Sequence, residues 1–461
     1  MNNYYHVIKD PVHGTMQFTA EENNWIKPFI DSENFQRLRH IKQLGLTDWI
    51  FPGAVHTRFN HSLGCCYIAN QIATKLNLST EKKQIVIIAA LLHDIGHGPF
   101  SHLFESLFYK NCIKHEMWTP VFLQEYAKES FLFNFNRLNS HMPLDKNKLL
   151  QIEKLITHRL EDDQLLVDMV SSQLDADRLD YLLRDGHFCG VNYGTYDFRW
   201  LLHCLTIVDC KNEKRLGIIK KGVGVVEQYL TARRLMIKNV YQHGRKYGGE
   251  YYLQKFLSLL AESLETENLF ASVKDFNICK FILKLNAFNV KIEALNSNKV
   301  AFKKACNKFI FENFSLYKNC ADFDVFYLIR TVAQLNLEHD VVILAKRLYG
   351  RILPLAWQVN PKKIAIAKKI LADWRSENKK FSSWQVKFLN LPHVSYVKRK
   401  DPILVLDGNK SVSNLETHSV IVEAISDISE YAYFILVDFV ISQNINVTKL
   451  YKQLLVKKIL I

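Results

Sequence analysis

An apolar run of eight residues, Ile85 to Leu92, ends directly in a histidine and an aspartate, His93 and Asp94. A run of this composition is stable in water only when it is buried, so it presents an imidazole and a carboxylate at the edge of a core. An unpaired buried carboxylate is costly, and a divalent cation or several hydrogen bonds offset the cost. The run therefore predicts a packed protein with polar chemistry at the end of a buried helix.

The spacing of the apolar residues predicts a mainly α fold with a smaller α+β lobe at the C-terminus. Apolar residues recur at helical intervals through much of the first 353 residues, whereas 402–407 and 418–440 are rich in the β-branched and aromatic residues typical of strands. A chain of 461 residues is long for one domain. We therefore predict a catalytic lobe with an all-helical core over 1–340 and a basic α+β lobe over 341–461 that forms an oligomer or effector interface.

The net charge of +14 favours a polyanionic partner such as nucleic acid, a nucleotide or an anionic membrane. Most of the excess lies in 361–400, where eleven residues are basic and two are acidic. Fourteen of the seventeen histidines lie at or before His243, so chemistry is expected in the first half. Aromatic residues within the basic stretch would suit stacking on bases, but their helical spacing also suits core packing. These aromatic residues are Trp374, Phe381, Trp384 and Phe388.

Membrane and secretory signals are not evident in the sequence. The longest apolar run has eight residues, and a membrane helix needs roughly 20. The first ten residues contain neither the basic nor the apolar region of a secretory signal. The nine cysteines include no Cys-x-x-Cys pair, which is typical of reduced thiols. We therefore expect a cytoplasmic protein with no membrane partner.

Four side chains in the histidine-rich half form a candidate metal set. His93 and Asp94 are joined by His61, in an earlier predicted helix, and by Asp177, in a later one. Two imidazoles and two carboxylates suit one divalent ion, either Fe, Mn, Zn, Ni or Mg, that polarises phosphoryl oxygens and activates water. For an isolated His-Asp pair, the alternative is a core histidine beside a helix-capping aspartate.

Titratable residues also crowd the stretch after Asp94, where His97, His102, Glu105 and His115 lie among leucines and phenylalanines. Imidazoles beside a carboxylate hold protons near neutral pH and deliver them to a leaving alkoxide. One or two of these histidines would also be compatible with a structural role in the core. We expect the group to supply acid and base catalysis.

Three arginines suit phosphate groups, because a guanidinium donates two parallel hydrogen bonds to phosphate oxygens. Arg58 lies three residues before the candidate ligand His61, Arg178 directly follows Asp177, and Arg233 lies in a later predicted helix. Each of them alone would more often form a surface salt bridge. The sequence has no glycine-rich phosphate loop, so side chains and metal are expected to bind a polyphosphate.

The helix predicted around Asp177 would carry several polar side chains on one face. At about 100° per residue, Asp177, Arg178, Tyr181 and Asp185 fall within one arc. A solvated face of an amphipathic helix would explain the charged residues but not Tyr181. We expect this face to line a cleft.

The strings that contain these residues resemble the HD-domain deoxynucleoside triphosphate triphosphohydrolases. The similarity is dense up to about residue 246, and later residues are similar only in layout. The resemblance implies an HD-domain helical core and one metal ion at the four candidate ligands. The strings are DPVHG at 10–14, FQRLRHIKQLG at 35–45, FPGAVHTRFNHSLG at 51–64, LHDIGHGPFSH at 92–102, SSQLDADRLDYLLRD at 171–185 and YQH at 241–243.

The same resemblance implies hydrolysis of a dNTP to a deoxynucleoside and inorganic triphosphate. Catalysis would involve His102, Glu105 and His115 near the α-phosphate. A ribose 2′-hydroxyl would clash with the residues beneath the sugar, which would select deoxynucleotides. The implied substrate contacts are Arg58, Arg178, Tyr181 and Arg233 at the triphosphate, Gln43 and Asp185 at the 3′-hydroxyl, and Leu44 and Tyr241 beneath the sugar, with His243 in the same string as Tyr241.

Members of this family are often tetramers that are activated by a guanine nucleotide bound between subunits. Asp31, Gln36 and Arg39 match positions that bind such an effector, whereas Lys9 replaces the polar residue expected nearby. Ile237 occupies a position where some members have a histidine near the phosphates. The resemblance thus implies a homo-oligomer, either a dimer or a tetramer, a dGTP or GTP effector, and additional Mg on the nucleotide.

Two other functions are compatible with the sequence. An HD phosphodiesterase or nuclease would use the same metal site on single-stranded nucleic acid or another nucleotide. The implied positions of Leu44 and Tyr241 beneath the sugar argue against this function. A nucleic-acid-binding regulator would use the basic stretch 361–400 and retain only a vestigial metal site.

Overall fold

The computed structural model describes residues 5–266, 268–394, 401–408, 411–427 and 429–461. Helices dominate this part of the chain, and the small sheets lie mostly toward the C-terminus, which confirms the predicted mainly α fold with a smaller α+β region. The helices before residue 240 are α1 (Ala20–Ile30), α2 (Glu33–Gln36), α3 (Arg58–Lys75), α4 (Thr80–Leu92), α5 (His102–Glu105), α6 (Thr119–Tyr126), α7 (Glu129–Leu138), α8 (Lys146–Ile156), α9 (Gln164–Val170), α10 (Ala176–Cys189), α11 (Phe198–Cys204) and α12 (Val223–Met236).

The remaining elements extend the helical core and add three sheets. The later helices are α13 (Gly244–Thr266), α14 (Asn277–Ala294), α15 (Lys299–Lys318), α16 (Asp322–Ala333), α17 (Asp340–Tyr349), α18 (Ile364–Glu377), α19 (Val420–Ile425) and α20 (Ile445–Val456). The strands are β1 (Tyr5–Asp10), β2 (Gly14–Thr19), β3 (Leu205–Cys210), β4 (Glu213–Ile219), β5 (Leu355–Gln358), β6 (Val386–Val394), β7 (Leu404–Leu406), β8 (Val412–Asn414) and β9 (Ser429–Val437).

The apolar run from Ile85 to Leu92 forms the second half of α4 and is buried throughout. Helix α3 packs against both α4 and α10. Its Gly64 permits this approach, because a Cβ atom there would overlap the carboxylate of Asp180 on α10. Helix α10 begins after Asp175, whose side chain accepts a hydrogen bond from the amide of Arg178, and ends at Gly190 with φ of 68°. These three helices hold the candidate ligands near one another.

Strands from the middle of the chain and from its C-terminal part meet in one sheet. The sheet order is β3-β4-β7-β8, and β4 pairs in parallel with β7 through Gly217 and Leu404. The predicted 1–340 lobe therefore also contains β structure beside its helical core, in the hairpins β1–β2 and β3–β4. The division at residue 340 stays a prediction.

The C-terminal region forms a second, smaller apolar cluster. Its sheet has the order β5-β9-β6, and side chains of α18 and α20 pack with it around Ile435 and Val437. The prediction of strands throughout 418–440 was partly wrong, since Val420–Ile425 is the helix α19. The hydroxyl of Ser419 accepts a hydrogen bond from the amide of Val422, and this cap starts a helix despite the β-branched sequence. Among the described residues, no helix combines the length and the apolarity needed to span a bilayer.

Candidate active site

A cavity of about 700 Å³ opens among α3, α5, α10, α13 and the segments that follow α2 and α4. Most of the residues that the sequence predicts for the site line this cavity. His61 and Glu105 lie directly behind the lining residues, in contact with them. The predicted residues that line the cavity are Gln43, Leu44, Arg58, His93, Asp94, His97, His102, His115, Asp177, Arg178, Tyr181, Asp185 and Tyr241.

The four candidate metal ligands converge at one point of the cavity, which we call the first cluster. His61 Nε2 lies 3.0 Å from Asp177 Oδ1 and 3.5 Å from Asp94 Oδ2. His93 Nε2 lies 3.4 Å from Asp94 Oδ1 and 3.7 Å from Asp177 Oδ1. The side chains come from α3, the end of α4 and the start of α10, so the packing of three helices produces the cluster.

The donor atoms of the first cluster fit a divalent metal ion. His93 Nδ1 donates to the carbonyl of Ala90 at 2.8 Å, which leaves the lone pair on Nε2, a buried atom without a hydrogen-bond partner. His61 Nδ1 lies 2.8 Å from Asp180 Oδ2, so its Nε2 likewise faces the cluster. Metal-binding imidazoles in proteins have this second contact on the outer nitrogen.

Asp180 supports the first cluster from behind and was not singled out from the sequence. Its carboxylate contacts His61, His13 Nε2 at 2.6 Å, and Arg184 Nε at 2.7 Å, and all four side chains are buried. Its position three residues after Asp177 places it on an adjacent face of α10, and that spacing is the signal that would have found it.

Arg58 links the first cluster to the neighbouring segments. Its Nη1 lies 2.5 Å from Asp94 Oδ2, its Nε donates to Ser101 Oγ at 2.9 Å, and Nη2 donates to the carbonyl of Gln43 at 3.4 Å. Burial disfavours the ionised form of Asp94, but the Arg58 guanidinium and the imidazoles of His93 and His97 hold the pKa of Asp94 well below its usual range. Asp94 is therefore an ionised carboxylate in a buried position.

His97, His102, Glu105 and His115 form a second cluster beside the first. Glu105 Oε1 lies 2.6 Å from His115 Nδ1 and 3.2 Å from His102 Nδ1, and the rings of His97 and His115 stack with centroids 3.7 Å apart. Burial opposes ionisation of Glu105, but the two imidazoles hold its pKa below the usual value. Burial, with the nearby Arg58 cation, lowers the pKa of His97. The arrangement can store and transfer protons.

The predicted sugar contacts also meet in the cavity. Asp185 Oδ2 accepts a hydrogen bond from the Tyr241 hydroxyl at 2.6 Å, and Asp185 Oδ1 lies 2.7 Å from His56 Nε2. The backbone amide of Gln43 donates a hydrogen bond to the backbone carbonyl of His56 at 3.0 Å. His56 thus contacts both Asp185 and Gln43, and it orients the Asp185 carboxylate. Its place in the string 51–64 was the sequence signal that could have identified it.

The phosphate arginines differ in position. Arg178 lines the cavity, where its Nη1 pairs with Asp175 and its Nε is buried without a partner. Burial raises the pKa of Asp175 to about 6, although the Arg178 cation opposes the shift. Arg233 lies outside the cavity lining and donates to Gln173 Oε1 at 2.8 Å. His243 is also outside the lining, beside Phe51.

The three predicted effector residues lie on a surface outside the cavity lining. Gln36 donates to the carbonyl of Ile30 at 2.7 Å, and Arg39 Nε donates to Gln36 Oε1 at 2.7 Å. The Arg39 guanidinium lies 3.5 Å from the centroid of the Phe59 ring, and Asp31 forms an ion pair with Lys27. The structure thus brings Gln36 and Arg39 into contact.

One wall of the cavity comes from α13 and was not predicted from the sequence. The residues of α13 that line it repeat at helical spacing, so a search for a polar stripe on this helix would have found them. His158 and Glu116 are further unpredicted lining residues near Arg178. The α13 residues are Lys246, Tyr247, Glu250, Tyr251 and Gln254.

The two tryptophans of the basic stretch 361–400 pack in the interior, and Phe381 and Phe388 are half-buried against the core. Trp374 is 8% exposed, donates from Nε1 to the carbonyl of Asn446 at 3.1 Å, and stacks on Phe381. Trp384 is 3% exposed. These contacts match the core-packing interpretation of the aromatic spacing rather than base stacking. The last basic residues of the stretch, Lys398, Arg399 and Lys400, lie outside the described residues.

The sequence and the fold of this chain are similar to those of several known proteins. Residues 58–184 match the HD domain family. Uncharacterized protein MJ1154 of Methanocaldococcus jannaschii is 31% identical over 382 residues, 78% of this chain and 77% of the relative. Deoxynucleoside triphosphate triphosphohydrolase SAMHD1 of Homo sapiens is 32% identical over 270 residues, but the match covers 51% of this chain and only 42% of the relative. A phosphohydrolase crystal structure from Bacteroides thetaiotaomicron shares the fold, with a TM-score of 0.71, 23% identity and coverage of 94% of this chain and 100% of that one.

Proposed function

This chain belongs to the HD-domain family of phosphohydrolases, and on that premise we propose that it hydrolyses deoxynucleoside triphosphates to a deoxynucleoside and inorganic triphosphate. One observation carries the proposal. The first cluster, the second cluster and the sugar contacts all border one cavity of about 700 Å³, a volume that suits a nucleotide.

The first cluster would hold one divalent ion through His61, His93, Asp94 and Asp177, with Fe, Mn, Zn, Ni and Mg as the candidates. When bound, the ion supplies positive charge that polarises a phosphoryl oxygen and activates water. An additional Mg would accompany the nucleotide phosphates. Asp180 would keep the His61 ring in its ligating orientation through the contact at Nδ1.

The second cluster would transfer the proton that the reaction requires. His102 would protonate the O5′ atom as the bond between O5′ and the α-phosphorus breaks, since its side chain is 67% exposed and can exchange protons with solvent. Glu105 would orient both His102 and His115 through their Nδ1 atoms. His97 would support His115 through the stacked rings.

The substrate would be held by cations at one end and selected by size at the other. Arg58 and Arg178, with Arg233 farther back, would neutralise phosphate charge. Gln43 and Asp185 would bind the 3′-hydroxyl. Leu44 and Tyr241 would exclude a ribose 2′-hydroxyl, and His243 would contribute from behind the cavity. The name of the human relative, a deoxynucleoside triphosphate triphosphohydrolase, supports this substrate class.

We further propose a homo-oligomer, a dimer or tetramer, whose activity responds to GTP or dGTP bound by Asp31, Gln36 and Arg39, with the C-terminal lobe at the interface. Rate and molecular mass would be measured together with and without each guanine nucleotide. If neither quantity changes, the effector proposal is wrong.

The decisive test is product analysis of the purified protein with a panel of dNTPs and NTPs and with each candidate metal. We expect release of inorganic triphosphate from dNTPs, and no release from the His93→Ala variant. Release of pyrophosphate or single phosphate would refute the proposal. Cleavage of a single-stranded oligonucleotide instead would indicate the phosphodiesterase alternative.

A further inference from the structure

Asp322, the first residue of α16, contacts two segments of the candidate active site from far away in the sequence. Its Oδ2 accepts a hydrogen bond from the backbone amide of Lys42 at 2.9 Å, and its Oδ1 accepts one from the amide of Phe100 at 2.7 Å. The side chain is buried, with the residue 5% exposed. One carboxylate therefore joins two segments that lie 222 and 280 residues earlier in the chain.

Each of these segments carries residues of the proposed site. Lys42 directly precedes Gln43 and Leu44, which are the proposed sugar contacts. Phe100 lies two residues before the proposed acid His102. The two segments also touch each other, since Ser101 Oγ donates to the carbonyl of Lys42 at 2.7 Å.

The Phe100 segment has a backbone conformation that needs support from its surroundings. Phe100 and Ser101 have φ values of 55° and 59°, in the left-handed region that residues with a side chain rarely adopt. Such a conformation persists only where other contacts enforce it. The hydrogen bond from the Phe100 amide to Asp322 is one such contact.

The next turn of α16 reinforces the same two segments. The Phe326 ring lies 5.2 Å from the Phe100 ring, and the Lys42 ammonium lies 5.5 Å from the Phe326 centroid. Residues four apart on a helix share a face, so Asp322 and Phe326 act together on Lys42 and Phe100. The Lys42 ammonium itself pairs with Asp48 at 2.7 Å, so Asp322 is engaged by backbone amides rather than by this cation.

We propose that Asp322 is a positioning residue that holds the sugar segment 42–44 against the acid-bearing turn 100–102, and thereby maintains the exclusion of ribonucleotides. A carboxylate offers a separate acceptor oxygen to each amide, whereas an asparagine would turn its NH2 donor toward one of the two amides and a serine has only one oxygen. Release of the clamp would let Leu44 move away from the sugar, so a 2′-hydroxyl would meet less steric resistance. The selectivity part of this inference rests on the proposed dNTP hydrolysis.

Asp324 offers a matched control on the same helix turn. Its Oδ2 accepts a hydrogen bond from the amide of Ala321 at 2.8 Å, so it caps α16 without contacting either site segment. Asp324→Asn removes the same charge from the same helical turn without touching either site segment. An effect of lost charge at the start of α16 would therefore appear in both variants.

The experiment compares wild type, Asp322→Asn, Asp322→Ser and Asp324→Asn by hydrogen exchange and by kinetics. In both Asp322 variants we expect faster exchange of the amides of Lys42 and Phe100, a kcat for dNTPs lower by about 10²-fold, and a dNTP-to-NTP ratio of kcat/KM lower by about 10-fold. Asp324→Asn should leave the exchange at Lys42 and Phe100, and the ratio, at the wild-type values.

The two readouts separate failure of this inference from failure of the proposed function. If the wild type releases no triphosphate, the proposed function is wrong, while exchange at Lys42 and Phe100 still tests the clamp. If a folded Asp322 variant keeps the wild-type exchange and selectivity, or if Asp324→Asn changes both equally, the positioning role is refuted. The serine variant, which is smaller and uncharged, serves where the asparagine variant does not fold.

Discussion

The two histidine clusters border the same cavity but hold their imidazoles in different ways. In the first cluster, each Nδ1 atom contacts a group outside the cluster, Asp180 for His61 and the Ala90 carbonyl for His93, and both rings are largely buried. In the second cluster, Glu105 itself contacts Nδ1 of His102 and His115, and His102 is 67% exposed.

This difference separates two kinds of chemistry built from the same residue types. Enclosed nitrogens that point at one another and at carboxylates suit a bound cation, because the ring orientation is set from behind. An exposed imidazole with a carboxylate on Nδ1 suits proton transfer, because it can be reprotonated from water. The environment of each ring, rather than its type, distinguishes the two roles.

The largest expected effect is on the first cluster. Asp94→Ala removes a proposed ligand and leaves the buried Arg58 cation without its carboxylate, so we expect loss of bound metal, loss of activity and a decrease of about 3–5 kcal/mol in the free energy of unfolding. Metal content by mass spectrometry and denaturant unfolding measure both. Asp177→Ala is the matched control, because Asp177 has no arginine partner and should lose metal with a smaller loss of stability. Full metal occupancy in Asp94→Ala would remove the distinction between the clusters.

A change in the second cluster should spare the metal. His102→Ala is expected to lower kcat by about 10²–10⁴-fold, because it removes the proposed acid, while metal content stays at the wild-type level. With a substrate whose leaving group needs no protonation, such as a 4-nitrophenyl phosphate ester, the His102→Ala variant should recover most of the wild-type rate. Parallel loss of metal and activity would show that the two clusters are one unit.

Asp322 provides a contrast with both clusters, because it has no cation or imidazole in contact and burial raises its pKa to about 6 from the usual 3.8. The folded state therefore binds this proton more tightly than the unfolded state. The resulting stability is present below pH 3.8 and is lost as the pH rises through 6.

Relative to Asp322→Asn, wild type should thus lose up to about 3 kcal/mol of unfolding free energy between pH 4 and pH 7. Denaturant titrations of both proteins across this range measure the difference. If wild type instead gained unfolding free energy relative to Asp322→Asn as the pH rises, Asp322 would behave like the carboxylates of the clusters, whose pKa values are lowered.

A smaller effect is expected behind the first cluster. Asp180→Asn weakens the contact that orients His61, so metal affinity should fall by about 10–100-fold without abolishing activity at saturating metal. Competition with a chelator measures the affinity. Cys66→Ser is the control for a buried substitution on the same helix, α3. Equal affinities for Asp180→Asn and wild type would contradict the supporting role.

Local patterns predicted much of the site, because its residues occur in short strings with recognisable neighbours. The apolar run before His93 predicted a buried helix end, and the polar face of α10 predicted that Asp177, Arg178, Tyr181 and Asp185 share one side. The histidines beyond Asp94 predicted a group of titratable residues. In contrast, the aromatic spacing in the basic stretch is compatible with both base stacking and core packing, and the contact of Trp374 with Asn446 depends on the tertiary structure.

Contacts between distant segments were not predictable in this way. Asp322 lies in a part of the chain with no motif, and its two partners are backbone amides, which every sequence contains. The parallel pairing of β4 with β7 likewise joins residues nearly 190 positions apart, and periodicity within either strand does not specify a partner.

The sequence by itself determined the helical class, the buried run that ends in His93 and Asp94, and the donor types available for chemistry, because these depend on local periodicity and on residue identity. Only the tertiary structure decided which donors face one another and which imidazoles are enclosed or exposed. It also decided that Asp322 joins the two segments that contain the proposed sugar contacts and the proposed acid. Those properties depend on distances between segments, and these distances are set by the packing of the whole core.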